Sequence, residues 1–147
     1  MRISEVLRRK GATVTTIRSD ATLAELLDLL ATRRIGAVVV SDDGSRVDGI
    51  VSERDIVLHL RDGSASLGAH VRDLMSAEVV TCAPEDDLES LARTMTDRRV
   101  RHLPVVVDGR LVGIVSIGDI VKQRLDELEG ERDELVKYVQ QGRPATA

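Results

Sequence analysis

The chain is nearly devoid of aromatic residues, with one Tyr, no Phe and no Trp. Its core must therefore be aliphatic, and a nucleic-acid site that stacks bases on aromatic rings is excluded. The single Cys cannot form an internal disulfide, which fits a reducing compartment. No apolar run approaches the roughly 18–20 residues that span a bilayer, and the N-terminus MRISEVLRRKG is too charged for a signal peptide. A cytoplasmic protein without a membrane partner is the expectation. Excess positive charge is missing too: at a formal net charge of −4, nothing uniformly basic can displace counterions from DNA, so nucleic acid is not an expected partner.

Chemical motifs are equally scarce. His59, His70, His102 and Cys82 are scattered without metal-ligand spacing. Cys82, on a strand, reads as a small buried residue; His59 and His70, beside a linker, read as exposed. There is no P-loop and no dinucleotide glycine fingerprint. In Gly113-Ile-Val-Ser116-Ile-Gly118 the Ser stands one residue too late for an esterase elbow. The expectation is a non-enzyme with no catalytic residue, metal or required cofactor.

What the chain does contain is a duplication. GIVSERDIV at Gly49–Val57 returns as GIVSIGDIV at Gly113–Val121, with seven of nine positions identical. In each copy the β-branched residues predict a short strand and the Asp three places after Ser predicts a helix start. Upstream, Leu23, Leu26, Leu27 and Leu30 fall at helical spacing, as do Leu88, Leu91, Ala92 and Met95, 65 residues later. Each helix ends in twin arginines, Arg33-Arg34 and Arg98-Arg99, where cations suit the helix dipole. Strands are predicted at Val14–Ile17 and Val79–Cys82, and at Ala37–Val40 and Leu103–Val107, with turns at 42–44 and 108–109. Short helices at 3–7 and 71–75 precede the two copies, and 61–68 reads as a linker. Val121, Leu125, Leu128, Leu135 and Val139 approximate a heptad seam, with Arg132 at the skipped place and a break expected near Gly130. That tail either packs on its own domain or meets a second copy.

Ser and Asp at a helix start are ordinarily caps. The same corner suits a ribose phosphate, since the carboxylate can take a vicinal diol and the helix N-terminus a phosphate. The twofold GIVSxxDIV, preceded by RRIGAVVV in one copy and RRVRHLPVVV in the other, resembles a pair of CBS motifs, the tandem unit called a Bateman module, here in stand-alone form. The resemblance implies an α+β fold: two βαββα repeats packed sheet to sheet about a pseudo-twofold axis, plus a C-terminal helix. Repeat 1 with its N-terminal helix and linker would take residues 1–68, repeat 2 residues 69–126, and a helical tail 127–147.

It further implies a regulatory sensor of AMP, ADP or ATP, less often of NAD or S-adenosylmethionine. Homodimerisation and an unidentified effector protein are implied as well. The Asp would hold ribose hydroxyls and the Ser phosphate or ribose. One cleft would join Ile50, Ser52 and Asp55 to Thr81, Val100, Arg101 and His102. The other would join Ile114, Ser116 and Asp119 to Thr16, Ile35, Gly36 and Ala37. With Arg101, His102 and Arg54 the first cleft should hold phosphate better, whereas the second, lacking such a cation, would be weak, take a less charged ligand or stand empty. The bland reading of Arg101 is a solvated surface residue. A ligand-independent interaction scaffold is the alternative function.

Overall fold

A computed structural model describes residues 1–142. Its elements run α1 (Ile3–Lys10), β1 (Thr16–Ile17), α2 (Leu23–Arg33), β2 (Ala37–Val40), β3 (Gly49–Ser52), α3 (Glu53–Arg61), α4 (Val71–Leu74), α5 (Leu88–Arg98), β4 (His102–Val107), β5 (Arg110–Ser116) and α6 (Ile117–Gly142). The α+β fold with two sheets is that expected of paired βαββα repeats.

The duplicated helices have matching ends. Thr22 caps α2 by accepting from the Glu25 N–H, and Asp87 caps α5 by accepting from the Glu89 and Ser90 N–H groups. At the other end the second arginine of each pair turns left-handed, Arg34 at φ 54° and Arg99 at φ 55°. Its N–H then bonds back to the Leu30 or Met95 carbonyl. The twin arginines therefore close the helices through backbone geometry as well as charge. Of the four leucines at helical spacing in α2, Leu23, Leu26 and Leu30 are buried, but Leu27 faces outward.

In the first sheet β1 pairs in parallel with β2, and β2 pairs antiparallel with β3. The second sheet contains β4 and β5. The strand expected at Val79–Cys82 shrinks to one parallel bridge between Cys82 and Val105. A turn ends it there, in which the Ala83 N–H donates to Asp86 Oδ2. A two-residue turn joins β4 to β5 with Asp108 at φ 50° and Gly109 at φ 76°, the left-handed pair that a tight hairpin requires.

Val38, Val40 and Val51 face the helices in one core, and Leu103, Val105 and Val115 do so in the other. Val39 and Pro104 lie on the opposite faces and are also buried, so each sheet is covered on both sides, with the two sheets packed together.

The helices that precede each repeat are exchanged. Ile3, Val6 and Leu7 of α1 belong to the core of the second repeat, whereas Val71 and Leu74 of α4 belong to the core of the first. Backbone bonds fix the exchange symmetrically: Ile3 N–H to Asp86 O and Ser4 N–H to Pro84 O in one half, Val71 N–H to Ala21 O and Arg72 N–H to Ser19 O in the other. Each of these helices thus packs into the core of the repeat that it does not precede in the chain.

α6 runs unbroken through Gly130, contrary to the expected break. Leu128, Leu135 and Val139 are exposed, so the tail does not pack on its own domain. Residues 143–147 of the expected tail lie outside the described residues.

Candidate functional site

The two strand-to-helix corners have nearly identical geometry. At the first, the Ser52 N–H and Oγ donate to Asp55 Oδ2 at 2.8 and 3.1 Å, while the Asp55 N–H donates to Ser52 Oγ at 3.3 Å. At the second, the same bonds join Ser116 and Asp119 at 2.8, 3.1 and 3.2 Å. Each corner is a reciprocal cap. All the carboxylate bonds fall on Oδ2, and among the described residues neither Oδ1 has a hydrogen-bond partner. Both caps thus keep an acceptor oxygen for a hydroxyl.

The glycine that opens each motif admits the exchanged helix. A Cβ at Gly113 would lie 2.6 Å from Leu7 Cδ2 of α1, and one at Gly49 would lie 2.6 Å from Met75 Sδ and 2.9 Å from the Ser76 carbonyl, just past α4. The close approach of α1 carries its last residue to the second corner. Lys10 Nζ donates to Asp119 Oδ2 at 2.6 Å and to the Ile114 carbonyl at 2.9 Å. The expectation that this corner would have no cation does not hold. A groove of about 120 Å³ opens beside the pair, lined also by Arg9, Lys122, Gln123 and Asp126.

Burial raises the Asp119 carboxyl, but the Lys10 ammonium and the Ser116 donors outweigh it and hold the group below its ordinary range. Burial likewise lowers the half-buried His102, reinforced by Lys10 and Arg101 and opposed by Asp119 and Glu53. His102 thus feels charges from both corners.

The remaining expected site residues lie on or beside the strands. Ala37 pairs with Ser52 and the Gly36 carbonyl accepts from the Glu53 N–H, so Gly36 and Ala37 adjoin the first corner through the backbone. His102 pairs with Ser116 and the Arg101 carbonyl accepts from the Ile117 N–H, which places these two against the second. Arg101 itself is exposed. Thr16 pairs with Val39, Ile50 with Val39 and Ser76, and Ile114 with Pro104. Ile35 and Val100 donate to the Leu30 and Met95 carbonyls after the helix caps, and Thr81 is exposed beside Cys82. His59 and His70, expected exposed, are half-buried. Lys10 and Glu53 were missed as site residues. On the alignment of α1 with α4, Ile3, Leu7 and Lys10 fall opposite Val71, Met75 and Glu78, which does not by itself direct Lys10 to Asp119.

Among the described residues no cluster of three His, Cys, Asp or Glu is placed to hold a metal ion, and no helix is long and apolar enough to cross a membrane.

The family model described as CBS domain matches residues 3–62 and 71–126. A curated relative, the mitochondrial CBS domain-containing protein CBSX3 of Arabidopsis thaliana, is 32% identical over 95% of this chain and 72% of its own. Two archaeal relatives are longer, the chain spanning only 33% and 39% of them. Among solved structures, a CBS-domain containing protein from Agrobacterium tumefaciens superposes with a TM-score of 0.80 at 42% identity, covering 84% of this chain and 99% of that one. A CBS domain protein from Pyrobaculum aerophilum, complexed with AMP, gives 0.71 at 31% identity, covering 81% and 89%.

Proposed function

This chain belongs to the CBS domain family, and on that premise we propose that it is a regulatory module binding AMP, ADP or ATP in clefts between its two repeats. One observation carries the reading: both corners keep Ser and Asp in the same geometry, with Asp Oδ1 open to a hydroxyl. The Pyrobaculum structure with AMP, at 31% identity, supports an adenosine ligand. In this reading Asp55 and Asp119 hold ribose hydroxyls, and Ser52 and Ser116 with the helix N-termini face phosphate. Gly36 and Ala37 border the first corner and Arg101 and His102 the second, each beside the Ser and Asp of its own repeat rather than across the repeats as expected. Its role is sensing rather than catalysis, with the output in an effector protein.

The exposed Val121, Leu125, Leu128, Leu135 and Val139 of α6 favour a homodimer in addition, the seam being too apolar for a solvated helix. Light scattering that finds a monomer at every concentration removes the dimer from this reading.

Titration calorimetry of AMP and ATP into the wild type, Asp55→Ala and Asp119→Ala tests the nucleotide sites. Each substitution should abolish or weaken one site and spare the other. Absence of heat and of any thermal shift with adenine nucleotides would leave the interaction scaffold in its place.

A further inference from the structure

Resting on the nucleotide reading above, we propose that Lys10 selects the ligand at the second corner, yielding Asp119 to a ribose only when the ligand brings a phosphate. Lys10 ends α1, and its ammonium bonds both Asp119 Oδ2 and the Ile114 carbonyl. The Lys10 side chain remains 31% exposed beside the groove, so it can swing toward a ligand without leaving its helix. α1 itself stays anchored by Ile3, Val6 and Leu7 in the second core.

An uncharged nucleoside entering here must share Asp119 with the ammonium and offers no anion in return. A nucleoside phosphate exchanges one anionic partner of Lys10 for another, keeping a charge-assisted bond on each side. The first corner has no such residue: Glu78 stands at the position corresponding to Lys10, and among the described residues no cation bonds Asp55. Lys10 therefore makes the second corner the one that discriminates by charge.

The experiment is titration calorimetry of AMP and of adenosine into the full chain as wild type, Lys10→Gln and Lys10→Arg, with circular dichroism confirming that each variant is folded. For Lys10→Gln the expected result is a roughly tenfold to hundredfold fall in the preference for AMP over adenosine at one site, the range of a charge-assisted bond. Adenosine affinity should be unchanged or improved, because Asp119 is freed. Lys10→Arg should keep the preference for AMP. In an Asp119→Ala background Lys10→Gln should no longer improve adenosine affinity, which assigns the change to this corner. If Lys10→Gln alters AMP and adenosine by the same factor, or alters neither while AMP still binds the wild type, the role of Lys10 is refuted and the nucleotide reading stands. If the wild type binds no adenine compound, both fall.

Discussion

The contact between Gly113 and Leu7 offers a stability test of the helix exchange that needs no ligand. Leu7 is 8% exposed and packs in the second core although it lies in the first helix of the chain. Truncating a buried leucine costs about 2–5 kcal/mol, and since Leu7 sits at the edge of its cluster the expected cost of Leu7→Ala is about 2–3 kcal/mol. Gly113→Ala places a methyl carbon 2.6 and 2.9 Å from the two Leu7 methyls, about 1 Å inside normal contact. Overpacking of this kind costs about 1–3 kcal/mol, while exchanging Gly for Ala within a regular element returns about 0.5–1 kcal/mol. The net expectation is a loss of about 1–2 kcal/mol.

Neither loss adds to the other if the contact is real. In the double variant the methyl introduced by Gly113→Ala enters the space that Leu7 vacates. The combined cost should then fall about 1–2 kcal/mol short of the sum of the singles. Urea unfolding followed by far-UV circular dichroism is the assay, because a chain with one Tyr and no Trp offers little intrinsic fluorescence. Additivity within about 0.5 kcal/mol would mean that α1 does not pack against β5. Gly49→Ala provides the comparison. There the obstruction includes the Ser76 carbonyl at 2.9 Å, held by bonds in both directions with Ile50. A bonded backbone yields less than a leucine methyl, so Gly49→Ala should cost more, toward about 3 kcal/mol.

Titration supplies three further expectations. Burial, with Asp86 adding to it, pushes the Cys82 thiol up to about 12; a thiol reagent at pH 8 should label it only at the rate of unfolding, and fast labelling of the native protein would contradict its burial. His102 is held below the ordinary histidine value, so it should be neutral at pH 7 and its NMR titration should fall below the ordinary histidine range. Because the unfolded chain takes up that proton first, stability is full above about pH 6.5 and declines as pH falls toward the native value. The carboxyls of Asp42, Asp43 and Asp62 are lowered chiefly by donors from Ser19, Arg46 and Ser64 respectively, and in Asp119 donors outweigh burial. Their contribution is complete above about pH 3.9 and lost as pH falls through the lower native values; a urea midpoint unchanged between pH 5 and pH 2.5 would refute it.

Elements with strong local periodicity were legible from residue order. The spacing of Leu23, Leu26 and Leu30 and its copy at Leu88, Leu91 and Met95 became α2 and α5, whose inner faces are buried. The continuous run Ala37–Val40 became a strand buried on both faces. Ser52 and Asp55, with Ser116 and Asp119, are caps, as their positions at helix starts predicted. What residue order could not convey was partnership between distant segments. Lys10 lies 109 residues from Asp119, and no local pattern in RRKG points there. Local propensity also misjudged Val79–Cys82, of which only Cys82 pairs, with Val105, and Gly130, whose cost inside a helix is too small to break a long one.

The exchanged helices bear on how two equal corners come to differ. Within the corners the bonds agree to within 0.1 Å, so any difference in ligand preference must originate outside the motif. Each motif glycine abuts the helix that opens the other repeat, or the residues just after it. The second corner takes its cation from α1, and α1 reaches it only because Gly113 leaves room for Leu7. A substitution in the first ten residues can therefore alter the chemistry of a site more than a hundred residues away while leaving its Ser and Asp untouched. By the same connection, a change in the bonding of Asp119 acts on α1 through Lys10, at the point where the chain turns into the first repeat. Occupancy of the second corner and the packing of the first helix are then linked quantities. A ligand that binds more tightly when Lys10 is free of Asp119 must shift the Lys10 contact by the same free energy.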